Sequence, residues 1–182
     1  MSTIDPASAA SVIRTSRLDL RELDFNDAEF ILQLLNEPGF IRFIGDKGVR
    51  TLEDARDYIQ KGPMDSYARN GFGLYAACLR DGTPIGICGL VKREGLNDPD
   101  VGFAFLSRYW FSGYAVESAA AVLAHARDVL RIERVVAITA PENWSSIAVL
   151  EKIGLRFERM IRLVDRSPEL KLFGLVPAGA RP

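Results

Sequence analysis

The chain has 182 residues, of which 48% are hydrophobic and 26% charged, and its formal net charge is −1. That length builds one domain with a core of its own, without cross-links or metals as staples. The near balance of charge excludes the basic excess of a nucleic-acid binder, and the lack of an apolar run of about 18 residues excludes a membrane-spanning helix.

The opening residues, MSTIDPASAASVIRT, lack the basic start and apolar centre of a secretion signal. They read as a frayed tail over residues 1–14, ahead of a single domain at 15–176 and a C-terminal tail at 177–182. A cytoplasmic protein is the expectation, and two cysteines, Cys78 and Cys88, fit a reducing compartment. Arg17 to Glu22 alternates apolar and polar side chains, as a half-buried strand does. Asn26 to Leu35 reads as a helix that Pro38-Gly39 ends. A second helix opens at Thr51, with Asp54 close to a capping box, and runs to about Gln60.

Phe72 to Leu79 and Ile85 to Val91 read as strands joined at Asp81-Gly82, a good hairpin signal. Val101, Phe103 and Phe105 alternate as a further strand. Gly113 to Leu130 is a helix whose apolar stripe is Val116, Ala120, Leu123 and Leu130. Arg134 to Thr139 is a β-branched, buried strand. Ser145 to Ile153 is a short helix with Gly154 at its C′ position. Strands over Arg156 to Leu163 and Leu170 to Val176 close the chain. The order β-α-α-β-β-β-α-β-α-β-β defines a mixed α/β domain around one sheet.

The segment DVGFAFLSRYWFSGYAVESAA, from Asp100 to Ala120, carries the chemistry. A strand ends, a loop containing Gly113 follows, and a helix begins. Free backbone N–H groups and the positive end of a helix dipole then face one point, where an anion binds. Gly113 lets the backbone approach closely.

Here the chain resembles the GNAT superfamily, and within it the ribosomal-protein N-terminal acetyltransferase branch. RTSRLDLRELDFNDAEFILQLLNEP is similar to that branch's opening strand and helix, YWFSGYAVESA to its acetyl-CoA loop, and RIERVVAITAPENWSSIAVLEKIGLRFE to its second half. The resemblance spans about Thr15 to Gly174. It implies an α/β (α+β) GNAT fold, a mixed sheet of about seven strands with four helices, splayed between the fourth and fifth strands. It also implies acetyl-CoA as cosubstrate and no metal. The pyrophosphate would lie on the amides of Phe111, Ser112, Gly113, Tyr114 and Ala115, in the loop that Trp110 opens. The pantetheine arm would run beside Phe103, Phe105 and Leu106 like an added strand. Asn143 would hydrogen-bond that arm or order the loop, and Ser146 would lie near the thiol. Trp110 is a common start to this loop in the branch. Phe111 departs from it, since glycine is frequent there; its side chain must turn away from the phosphates or the loop narrows.

Acetyl transfer to nitrogen needs a neutral amine, so a base within hydrogen-bond or one-water reach helps. The resemblance puts Asp100 where the branch commonly has Glu. Asp100 is the first candidate for the base, acting through water, ahead of Glu117 and Glu94. A backbone N–H at the end of the Phe103 to Leu106 strand is the candidate for the oxyanion. Ser146 is the candidate donor to the departing thiolate, or else caps its helix.

Other conspicuous residues read as structural. His125 lies opposite the expected apolar stripe, on the surface, with no ligand partner at metal spacing. Cys78 should face Ile85 and Cys88 should face Tyr75, roughly 10 Å apart along the hairpin, too far for a disulfide. Phe40, Phe43, Tyr67 and Phe72 are core residues or wall the acceptor pocket. Gly86 and Gly89 allow close packing or a bulge. The expected partners are acetyl-CoA and an amine acceptor, either a protein N-terminus or a small molecule, in a monomer or homodimer. The alternatives are a non-catalytic acyl-CoA-binding module and an acyltransferase using a longer acyl-CoA.

Overall fold

A computed structural model describes residues 10–165 and 167–175. Most of the expected N-terminal tail and all of the expected C-terminal tail lie outside the described residues. The exception is Ser11–Arg14, which forms strand β1 antiparallel to β2 (Leu18–Arg21) and corrects the expectation of a tail to residue 14. That strand escapes sequence reading because only its middle, at Ile13, is buried.

The remaining strands are β3 (Leu74–Leu79), β4 (Pro84–Val91), β5 (Asp100–Phe105), β6 (Val136–Thr139), β7 (Leu155–Ile161) and β8 (Leu170–Leu175). They form one sheet in the order β1-β2-β3-β4-β5-β6-β8-β7. All neighbours are antiparallel except β5 and β6, which are parallel and meet in the single register pair Asp100–Val136. This is the expected splay. The sheet has eight strands where about seven were expected, β1 being the addition.

The α-helices are α1 (Ala28–Leu35), α2 (Pro38–Phe43), α3 (Leu52–Ile59), α4 (Asp65–Asn70), α5 (Tyr114–Asp128) and α6 (Trp144–Lys152). They cover both faces of the sheet. α5 and α6 bury Val122, Ile147 and Leu150 on one face, with Tyr75, Cys88 and Phe173 of the strands. On the other, α1, α2 and α3 bury Ile31, Leu34, Phe40 and Ile59 against Ala76, Cys78 and Ile87. The capping box at Thr51 and Asp54 forms as its spacing predicts.

Three departures have physical causes. Pro38-Gly39 ends α1 and also starts α2, because proline at the first helical position loses no hydrogen bond. The helix expected to end at about Gln60 does not end there: the chain widens into a π turn over Gln60–Met64 and continues as α4. In α5 the buried residues include Ala119, Val122, Leu123 and Ala126, while Ala120 is exposed. His125 therefore flanks the buried face instead of opposing it, and partial burial lowers its pKa.

In the β3–β4 hairpin Cys88 faces Tyr75 as expected, but Cys78 pairs with Pro84, and Ile85 is the extra residue of a bulge. Both cysteines are free and buried, and burial pushes the Cys88 thiol up to about 12. Gly89 serves close packing, since a Cβ there would stand 2.0 Å from the Gly73 carbonyl oxygen.

Candidate active site

The splay opens a cavity of about 560 Å³ that runs from the loop after β5 to the far end of α2 and α3. One end of it is lined by Trp110, Phe111, Gly113, Tyr114 and Ala115. Gly113 takes φ +83° and precedes α5 with no side-chain cap. The N–H groups of Phe111 through Val116 meet no protein acceptor among the described residues. Open amides at the N-terminus of a 15-residue helix suit a pyrophosphate. The loop therefore fits the cofactor that the resemblance implies.

Two devices hold the loop. The Trp110 indole Nε1 donates to the Phe105 carbonyl at 2.7 Å, and its ring packs on Gly39, where a Cβ would lie 2.4 Å away. Trp110 thus joins the end of β5 to α2. On the other side Glu117 accepts hydrogen bonds from the Thr15 and Ser16 hydroxyls and from the backbone N–H and Nε of Arg17. Arg17 in turn donates to the Ser112 carbonyl at 2.9 Å and stacks on the Tyr114 ring. Partial burial would raise the Glu117 carboxyl, but these donors outweigh it and hold it at about 2. Glu117 is outside the cavity lining and is committed to the loop. That removes it as a candidate base. Glu94 is exposed and also outside the lining.

Phe111 adopts φ +59°, the left-handed region that glycine takes without cost, and is 92% exposed. The backbone has kept the turn, and the ring stands at the cavity rim, edge-on to Trp110.

Asp100 sits where β5 and β6 part. It is 1% exposed. Its Oδ1 accepts from the Ile138 N–H at 3.1 Å and its Oδ2 from Arg93 Nε at 2.5 Å. The carboxylate thus bridges two strands that have stopped pairing. Burial raises its pKa; the charge and hydrogen bond of Arg93 and the Ile138 amide pull it back, and the balance is about 6. A carboxyl with that value changes protonation near neutrality, as a general base requires.

Phe103, Phe105, Tyr114, Ala115, Asn143 and Ser146 line the cavity with Asp100. Ser112 and Leu106 do not. Leu106 is 1% exposed in the core, and its N–H donates to the Ile85 carbonyl at 3.0 Å, so it cannot hold the oxyanion. The cap of α6 is Asn143, whose Oδ1 accepts from the Ser146 N–H at 3.2 Å. The Ser146 hydroxyl meets no protein partner among the described residues. Of the four aromatic candidates for the acceptor wall, Phe40 and Phe43 line the cavity. Tyr67 and Phe72 are core: Tyr67 stacks on Tyr75 at 5.6 Å and donates to the Leu74 carbonyl.

Sequence reading misses Lys47, Tyr58 and Arg93, which also line the cavity. Each comes from a different segment and carries no local signature. It also misses Arg17 as a partner of Glu117, 100 residues away.

A family model described as an acetyltransferase (GNAT) domain matches residues 17–156. The chain belongs to that family. It is 31% identical over 147 residues to the uncharacterized N-acetyltransferase YnaD of Bacillus subtilis (strain 168), covering 80% of this chain and 83% of that protein. It superposes on an acetyltransferase (GNAT family) from Bacillus anthracis with a TM-score of 0.74 at 26% identity, over 90% of this chain and 97% of that one. It shares its fold with RimL, a ribosomal L7/L12 alpha-N-protein acetyltransferase solved with coenzyme A. There the TM-score is 0.79 at 16% identity, over 92% of this chain and 98% of that one.

Proposed function

We propose that this chain transfers the acetyl group of acetyl-CoA to a primary amine by direct attack in a ternary complex. One observation carries the reading: the unpartnered amides of Phe111 through Val116 and the β5–β6 splay lie in one continuous cavity. The amides suit the pyrophosphate, and the unpaired edge of β5 suits an amide-bearing arm.

When bound, acetyl-CoA supplies an activated acetyl carbonyl. Asp100 takes the proton of the incoming ammonium, through a water, since both its oxygens already accept one protein hydrogen bond. Arg93 and the Ile138 amide keep the carboxylate fixed while it does so. The Ser146 hydroxyl would supply a proton to the leaving sulfur and be restored by the second proton that the attacking nitrogen sheds, relayed through water. Asn143 positions Ser146 by capping its helix. The acceptor is either a protein N-terminal amine or a small-molecule amine.

The test is thermal melting with millimolar acetyl-CoA, with free CoA as control, followed by CoA release in the presence of amines. A ligand that binds only the native state raises the melting temperature. A flat melt together with a flat calorimetric titration overturns the reading. Parallel reactions with propionyl- and succinyl-CoA separate acetyl transfer from transfer of a longer acyl group.

A further inference from the structure

The cavity has a second end that the cofactor does not account for. β5 runs from Asp100 to Phe105, and its C-terminal end leads into the phosphate loop. A cofactor arm laid along the strand therefore brings its acyl group toward Asp100. Beyond that point the walls are Phe43, Tyr58 and Val91, with the cations Lys47 and Arg93.

The charge there does not balance. Asp100 is the single acidic residue lining the cavity among the described residues, and Arg93 already pairs with it. Lys47 is left over. The carboxylates closest to it along the chain and on α3 are committed elsewhere: Asp46 to Arg50, Asp54 to the N–H groups of Arg50 and Thr51, Asp57 to Lys61. Among the described residues Lys47 forms no ion pair, and Arg93 uses Nε alone, leaving its terminal nitrogens without an acceptor. Lys47 is an exposed residue, yet partial desolvation and then the charge of Arg93 lower its pKa. Two like charges facing one apolar space are relieved by an anion placed against both.

We infer that this end of the cavity selects an amine acceptor carrying a carboxylate on an apolar body, read by Lys47 and the terminal nitrogens of Arg93. The inference rests on the acetyl-transfer reading above. A carboxylate there accepts charge-assisted hydrogen bonds. A polyamine or an aminoglycoside brings further positive charge against both cations. A free apolar amino acid and a peptide with an acidic side chain near its amino terminus share the required chemistry.

The experiment measures CoA release with phenylalanine against phenylalaninamide, a short peptide with aspartate second against the same peptide with asparagine, spermidine, and kanamycin. The carboxylate member of at least one pair should exceed its neutral partner by about tenfold in kcat/KM. The pair that responds tells free amino acid from peptide. Lys47→Met should bring that ratio toward one while the melting shift with acetyl-CoA persists. Equal rates within both pairs, faster turnover of spermidine or kanamycin, or no turnover of any acceptor overturns the inference. Turnover of a polycation would still uphold acetyl transfer. Loss of the acetyl-CoA melting shift in the parent protein would instead remove the reading on which the inference rests.

Discussion

The two ends of the cavity are built in opposite ways. The proposed cofactor end is one continuous run from Trp110 to Glu117, and what it offers a ligand is backbone N–H groups whose position depends on chain geometry. Long-range contacts only brace it, through Trp110 against Gly39 and Glu117 against Arg17. The acceptor end has no such run. Lys47 comes from the loop between α2 and α3, Tyr58 from α3, and Arg93 from the segment after β4. Its candidate ligands are the side chains of Lys47 and Arg93, and α3 supplies the Tyr58 wall. A fold can keep the first kind of site while the second changes residue by residue.

Asp100 stands between the two ends, so its substitution should have the largest effect. Asp100→Asn is expected to lower kcat/KM by about 100-fold or more, as loss of a positioned base does. In the parent the low-pH limb of the rate profile should centre near 6, the value at which burial is balanced against Arg93 and the Ile138 amide, with the rate rising as the group ionises. In the variant that limb should vanish. A full rate with an unchanged limb would reduce Asp100 to a strut between β5 and β6.

Glu117→Ala breaks the brace of the cofactor end. It removes the acceptor of Thr15, Ser16 and Arg17 and frees the Ser112 carbonyl contact. The expected loss is about 2–3 kcal/mol, a fall of roughly 4–12 °C in Tm, with acetyl-CoA binding weaker by about tenfold. The sign with pH follows from a folded pKa of about 2, below the ordinary 4.5. The contribution is present above about 4.5 and is lost as acid titrates the group toward 2. Parent and variant melting curves should therefore converge in acid.

Ser146→Ala should lower kcat by about tenfold. That is below the usual span for acid catalysis, because a thiolate departs with little help. Acetyl-CoA binding should not change, because Asn143 and not the Ser146 hydroxyl caps α6. The smallest effect is expected from Phe111→Gly. Relief of the left-handed conformation is worth about 1–2 kcal/mol, and glycine's extra backbone entropy returns about 0.5–1 kcal/mol. A Tm within about 2–4 °C of the parent, with cofactor affinity intact, would show that the exposed ring contributes little to the loop. A large loss of affinity would assign the ring a contact with the cofactor.

Periodicity and capping made most of this fold legible before any coordinates. The Thr51–Asp54 box, Gly154 after α6 and the alternation of Val101, Phe103 and Phe105 are signals written within a few residues of each other. The loop before α5 was legible for the same reason, since a strand, a glycine and a helix start define it locally. What misled was also local. The second helix reads as ending near Gln60, but a π turn carries the chain on into α4; Ala120 looks apolar, but α5 turns it outward. Only the tertiary structure decided that Glu117 braces the loop instead of acting as a base, and that Leu106 spends its N–H on Ile85. It alone put Lys47 and Arg93 in one cavity with Asp100. Hydrogen-bond commitment and charge balance depend on neighbours tens of residues apart, and no sequence window contains both partners.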